Sequence, residues 1–190
     1  MQEENFLEDI NLWKRLLNDD REALSLLFRK YYKPLLNYGL RLIPREELVK
    51  DSIQELFFTI WDKRGRLSDI EYVSSYLYTS FRRTLFKQAD MQKVRQQRDA
   101  RYSEEQKDRE ITPEQRLIIE EIRHEKKANL REAFESLNES QKEAAFLKFY
   151  NGLTNDEISE VMGVKKESVY NYIYRAISAL QEKLSISLTG

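Results

Sequence analysis

The feature that most restricts this chain is the spacing of its large apolar residues, which recur three and four positions apart over long stretches. Leu24, Leu27, Phe28, Tyr31 and Leu35 form one such series, and Val49, Ile53, Leu56, Phe57, Ile60 and Trp61 form another. That period matches the helical turn rather than the two-residue alternation of a half-buried strand. Five Gly and three Pro in 190 residues are too few for the turns of an all-β fold. Leu, Glu, Lys, Arg and Gln, all good helix formers, are abundant instead. The expected fold class is all-α.

Helical periodicity runs from about Phe6 to Lys87 and resumes from about Glu114 to Leu188. Between them, Gln88 to Pro113 holds 12 charged residues in 26 and too few apolar ones to fill a core face. A mobile, partly helical linker is the expectation there. The chain is thus expected to form two small helical domains, 1–87 and 114–190, joined by a flexible linker at 88–113.

The second block carries local punctuation. Asn138 with Gln141, and Thr154 with Glu157, have the spacing of a capping box, in which each residue's side chain bonds to the other's backbone amide. Gly152 and Gly163 stand where the preceding helices must stop. The string LTNDEISEVMGVKKESVYNYIYRAISAL, Leu153 to Leu180, therefore predicts a short helix, a turn at Gly163 and a second helix from about Lys166. That is the pattern of a DNA-binding helix-turn-helix, with the second helix as the reader. Its outward positions, Lys165, Lys166, Ser168, Tyr170, Asn171, Tyr174 and Arg175, mix phosphate-binding cations with groups able to address base edges in the major groove.

Charge is balanced overall, at a formal net of -1, but it is segregated. Pro44 to Asp62 has two basic against five acidic residues, whereas Lys63 to Arg101 has ten against four. In the acidic segment, helical spacing turns Ile53, Leu56, Phe57, Ile60 and Trp61 inward and leaves Asp51, Gln54, Glu55, Phe58 and Asp62 on another face, suited to a basic helical partner. In the basic segment, Arg64, Arg66, Arg82, Arg83 and Lys87 are interleaved with Tyr72, Tyr76, Tyr78 and Phe81. Cations among aromatics suit an opened DNA strand, whose phosphates and base faces are both accessible. Leu77, Phe81 and Leu85 share a core stripe, which favours Tyr72 and Tyr76 as the exposed pair.

Other chemistries are not expected. The chain has no Cys and one His, His124, in a charged stretch, so no metal centre, disulfide or thiolate chemistry is expected. There is no Gly-rich phosphate loop. Neither a cofactor nor an enzymatic activity is expected. No apolar run approaches the roughly 18 residues of a membrane span, and the N-terminus MQEENFLEDI is acidic. Direct membrane insertion is therefore not expected, and the expected location is the cytoplasm.

Taken along its length, the chain resembles bacterial RNA polymerase sigma factors of the extracytoplasmic-function type, which keep only region two, a linker and region four. ALSLLFRKYYKPLLNYGLRLI resembles the opening helices of region two, with Tyr31 and Tyr32 before Pro34. DSIQELFFTIWDKRGRL, Asp51 to Leu67, is similar to the family's acidic-x-x-Gln-Glu helix and its following aromatics, and YVSSYLYTSFRRTLFKQ stands where the family has its promoter-melting helix. The resemblance implies promoter DNA and core RNA polymerase as partners. Asp51, Gln54, Glu55 and Phe58 would meet the clamp helices of the largest polymerase subunit. Arg64, Arg66, Tyr72, Tyr76, Arg82, Arg83 and Lys87 would engage the minus-ten element, with the loop from Arg64 to Glu71 resembling the one that captures a flipped base. The helix from Lys165 to Arg175 would read the minus-thirty-five element, and an anti-sigma factor is implied as a further partner. The chain departs from the family at Arg83, where the melting helix usually has Asn, and at Tyr170 and Tyr172, where the recognition helix usually has Lys or Arg. A conventional helix-turn-helix regulator acting without polymerase is the alternative, and it would account for the C-terminal block alone.

Overall fold

The computed structural model describes residues 2–99 and 134–186. Helix α1 spans Gln2–Leu17, α2 Arg21–Leu42, α3 Glu46–Lys63 and α4 Val73–Asp99, with a 3-10 turn at Arg64–Arg66 before α4. Further on, α5 spans Glu139–Phe149, α6 Asn155–Met162 and α7 Lys166–Ile186. No strand occurs among the described residues, in line with the all-α expectation. Two compact units result, the first built from α1 to α4 and the second around α5 and α7. His124 and most of the expected linker, from residue 100 onward, lie outside the described residues.

In the first unit the predicted stripes become one core. Helix α4 buries Val73, Leu77, Phe81, Leu85 and Ala89, at steps of four residues. Against it pack Leu27, Leu35 and Tyr38 of α2, Ile53 and Ile60 of α3, and Trp13 and Leu16 of α1. Each such large side chain contributes about 1.5–3 kcal/mol by leaving water. Pro34 lies inside α2 and withholds an amide from the helical ladder, yet the buried residues on both sides of it carry the helix through. Helix α4 does not stop near Lys87, where the apolar pattern thins. Ala89 is buried and Gln88 accepts a 2.8 Å hydrogen bond from Ser52 on α3, so the helix stays anchored one turn further and then continues through Asp99.

The turn between α1 and α2 is compact and charged. Asp19 adopts φ 66°, in the left-handed region that Asp enters more readily than most residues. Asp20 caps α2, accepting from the amides of Glu22 at 2.9 Å and Ala23 at 3.2 Å, and also receives Arg15 Nε at 2.8 Å. Further along the same pair of helices, the buried Asp9 carboxylate receives the Tyr31 hydroxyl at 2.6 Å and faces Lys30 Nζ at 2.7 Å.

The second unit is set by its caps. The Gln141 amide donates to Asn138 Oδ1 at 2.9 Å, and the Asn138 amide donates to Gln141 Oε1 at 3.0 Å. At α6 the Glu157 amide donates to Thr154 Oγ1 at 3.2 Å, and the Thr154 amide donates to Glu157 Oε2 at 2.8 Å. Both predicted capping boxes are therefore present. Gly152 and Gly163 take φ 71° and 65°, which glycine adopts without a Cβ clash. Ser159 Oγ closes the turn after α6 by donating to the Val164 carbonyl at 2.9 Å. Leu137, Ala145 and Ala176 bury together between α5 and α7, and Ile158, Val169 and Ile173 are buried as well.

Candidate nucleic-acid interface

Helix α7 buries Val169, Ile173 and Ala176, which leaves Glu167, Tyr170, Asn171, Tyr174 and Arg175 as one exposed stripe. Tyr170 and Tyr174 are 54% and 71% exposed and one turn apart, so the two rings stand as an amphipathic ridge on this face. Lys165 and Lys166 are exposed at the start of the helix, while Ser168 is half-buried. Lys166 Nζ pairs with Asp156 on α6, and this hydrogen bond holds the ammonium above the usual lysine pKa against the opposing loss of hydration. Lys166 is thus a cation already engaged by a carboxylate.

Helix α3 presents the second face. Asp51, Gln54, Glu55, Phe58 and Asp62 are all exposed, and Phe58 is 67% so. Next to it lies an apolar cleft of about 450 Å³ lined by Leu24, Phe28, Phe57, Phe58 and Trp61. Leu24, Phe28 and Trp61 are only half-buried, whereas the periodicity placed all three in the core. The Arg64 guanidinium covers the Trp61 ring at 4.1 Å from the centroid, so the shielding the ring has on that side is a cation–π contact rather than core packing.

The third face combines the 64–72 loop with the side of α4 opposite its core. Tyr76, Arg83 and Lys87 fall on one stripe of α4, with Tyr72 just before its first residue. Arg66, Tyr72, Arg83 and Lys87 are exposed. Tyr72 is edged by Phe6 at 5.5 Å, and Tyr76 is half-buried against the Trp13 ring at 5.1 Å, so only the first of the favoured pair is open. Arg82 lies off this stripe, half-buried, with its guanidinium 4.9 Å from the Phe86 ring. Arg64 is turned inward: its Nε donates to Asp19, and its Nη1 donates to the Trp61 carbonyl at 2.6 Å. Sequence reasoning did not single out Trp13 or Asp19. Trp13 reads as one more member of a core stripe, and an Asp in a turn carries no signal of the cation it will meet.

The chain is of the helix-turn-helix class: one unit carries that motif with a basic and aromatic face, and the other is a four-helix unit with one acidic and aromatic face and one basic and aromatic face. Residues 127–180 match the family Sigma-70, region 4. The RNA polymerase sigma factor YlaC of Bacillus subtilis (strain 168) is 25% identical over 175 residues, 88% of this chain and 95% of its own length. The fold is that of CnrH, solved in complex with the cytosolic domain of CnrY, at TM-score 0.61 and 17% identity over 94% of this chain and 98% of that one. It is also that of RpoE, solved with the anti-sigma factor NepR from Bartonella quintana, at TM-score 0.57 and 16% identity over 85% and 96%. The C-terminal part of the chain thus matches a sigma-factor family, and the chain as a whole is similar to a sigma factor along nearly all of its length.

Proposed function

We propose that the chain acts in the cytoplasm by docking on core RNA polymerase through α3, reading the minus-thirty-five duplex with α7 and engaging the opened minus-ten strand with the 64–72 loop and the outer stripe of α4. The observation that carries this reading is the exposed face of α3, where an unburied Phe58 stands among Asp51, Gln54, Glu55 and Asp62. A solvated helix face gains nothing from an exposed Phe, whereas a partner with a basic rim would bury the ring and neutralise the carboxylates. The α7 stripe supports a duplex reader, because Asn and Tyr supply base contacts while Arg175 and Lys165 supply phosphate contacts. No helix among the described residues is long and apolar enough to cross a membrane. Since CnrH is solved with the cytosolic domain of CnrY and RpoE with an anti-sigma factor, we extend the anti-sigma partnership to this chain.

Reversing Asp51 and Glu55 to Lys should abolish co-purification of core polymerase while leaving the helical fold intact, since exposed charges contribute little to stability. Undiminished co-purification would remove α3 from the interface. The two DNA surfaces separate on a template whose minus-ten region is already unpaired. Unpairing there restores promoter use to Ala variants of Tyr72, Arg83 and Lys87, and it fails to restore Ala variants of Tyr170, Asn171 and Arg175, which act on duplex.

A further inference from the structure

The connection from the 3-10 turn to α4 is a surface segment, yet it is fastened to α1 and to the turn that follows α1. At its start, Arg64 donates to Asp19 and to the Trp61 carbonyl, and its guanidinium lies on the Trp61 ring. In its middle, the Ser68 carbonyl accepts from the indole nitrogen of Trp13 at 3.2 Å. Trp13 is itself 1% exposed and meets Tyr76, in the first turn of α4, edge to face. Asp19, which receives Arg64, holds a backbone conformation, φ 66°, that a non-glycine residue adopts only where its surroundings compensate. Its carboxylate is exposed and is engaged by Arg64 across the turn.

We propose that Asp19, Arg64 and Trp13 form a latch that presets the shape of the 64–71 loop, with Asp19 and Trp13 as positioning residues for base capture and Arg64 as part of the latch rather than a DNA cation. This rests on the proposed role of that loop at the minus-ten element. A loop held in its working shape loses little backbone freedom when a base enters it, and it keeps its hydrogen-bonding groups aligned so that wrong bases fit worse. Arg64 is poorly placed to add to the field felt by DNA, because Asp19 neutralises its charge and the Trp61 face takes up its flat side. The neighbouring Arg66 is exposed and is the better phosphate contact.

The latch and the direct-contact roles of Arg64 predict opposite results for one substitution. Asp19→Asn keeps the size of the side chain and its tolerance of the left-handed region, and it removes the charge. If Arg64 were a DNA contact, freeing it would tighten binding to every template alike and steepen the salt dependence. On the latch reading the loop loosens and selectivity falls. The measurement uses holoenzyme reconstituted from the full chain and core polymerase, with templates unpaired across the minus-ten region and carrying each of the four bases at each unpaired position. The ratio of best to worst affinity should fall on the order of tenfold for Asp19→Asn. It should fall likewise for Arg64→Lys, which keeps the charge but loses the planar fork. Binding of Asp19→Asn to core polymerase should stay as in the unaltered protein. An unchanged ratio, or uniformly tighter binding, overturns the latch. A unit ratio already in the unaltered protein overturns the role of the loop itself, and the latch with it.

Discussion

Replacing Gly39 by Ala tests how closely α2 approaches the α3–α4 layer. A Cβ at that position would stand 2.5 Å from Val49 Cγ1 and 2.7 Å from Phe81 Cζ, where ordinary carbon contacts are about 3.5–4.0 Å. Both neighbours are fully buried, so neither can step aside into solvent. Val49 is branched at Cβ and stiff, and the Phe81 ring is itself packed against Tyr38. Overpacking of this kind costs about 1–3 kcal/mol, and two such contacts on immobile partners argue for the upper half of that range. Against it, Ala is favoured over Gly inside a helix by about 1 kcal/mol. The net expectation is a destabilisation of about 1–2 kcal/mol. Both tryptophans of the chain, Trp13 and Trp61, lie in the first unit, so tryptophan emission in a urea titration of the full chain reports that unit alone. The midpoint should move to lower urea with the slope unchanged. A midpoint that stays put or rises would mean that α2 has room to shift, and that the close approach at Gly39 is not what fixes the layer.

Two further outcomes test the caps that set the helices. Asn138→Ala removes one half of the capping box on α5 and should cost about 1 kcal/mol. It should be read as faster amide exchange in the first turn of that helix, Gln141 above all, and unchanged exchange there would show that the box does not hold it. Asp20 is held below the usual aspartate pKa, first by the hydrogen bond from Arg15 and then by that from the Ala23 amide. Its stabilisation is therefore present above about pH 4 and is lost as pH falls through the depressed folded value. Asp20→Asn keeps a good cap but cannot titrate, so the gap in urea midpoint between the two proteins should be largest near neutrality and close in acid; a gap independent of pH refutes this role for Asp20.

The parts of this structure legible in the sequence are those set by near neighbours. A capping box needs two residues three apart, and Asn138 with Gln141 and Thr154 with Glu157 both form as the spacing requires. The stripe of Val73, Leu77, Phe81 and Leu85 needs only a helical period and a core to face. What the sequence conceals is set by distant partners. Nothing near Tyr76 announces that Trp13 will cover it, and the run Lys63 to Arg66 gives no sign that Arg64 turns inward while Arg66 turns out. The end of α4 was concealed for another reason. Apolar residues thin out after Ala89, but a helix anchored by Ala89 and by the Ser52–Gln88 bond can continue on Gln, Lys and Arg, which have high helix propensity. Core periodicity marks where a helix packs, and that is shorter than where it runs.

The same packing explains how a chain of nearly zero net charge can present two surfaces of opposite character in one small unit. Helices α3 and α4 pack against each other more extensively than any other pair in the first unit, through side chains that exclude water. Each is amphipathic, so the face left outward on α3 is acidic with an exposed Phe58, and the face left outward on α4 carries Arg83 and Lys87. Helices in contact lie about 8–10 Å apart, and a close-packed layer between them transmits displacement with little slack. On the proposed function, a polymerase that grips the α3 face therefore also fixes the bearing of the α4 face, with no hinge between the two. Substitutions that loosen the shared layer, Gly39→Ala among them, should consequently impair polymerase docking and strand engagement together. Substitutions on either outer face should affect one and spare the other.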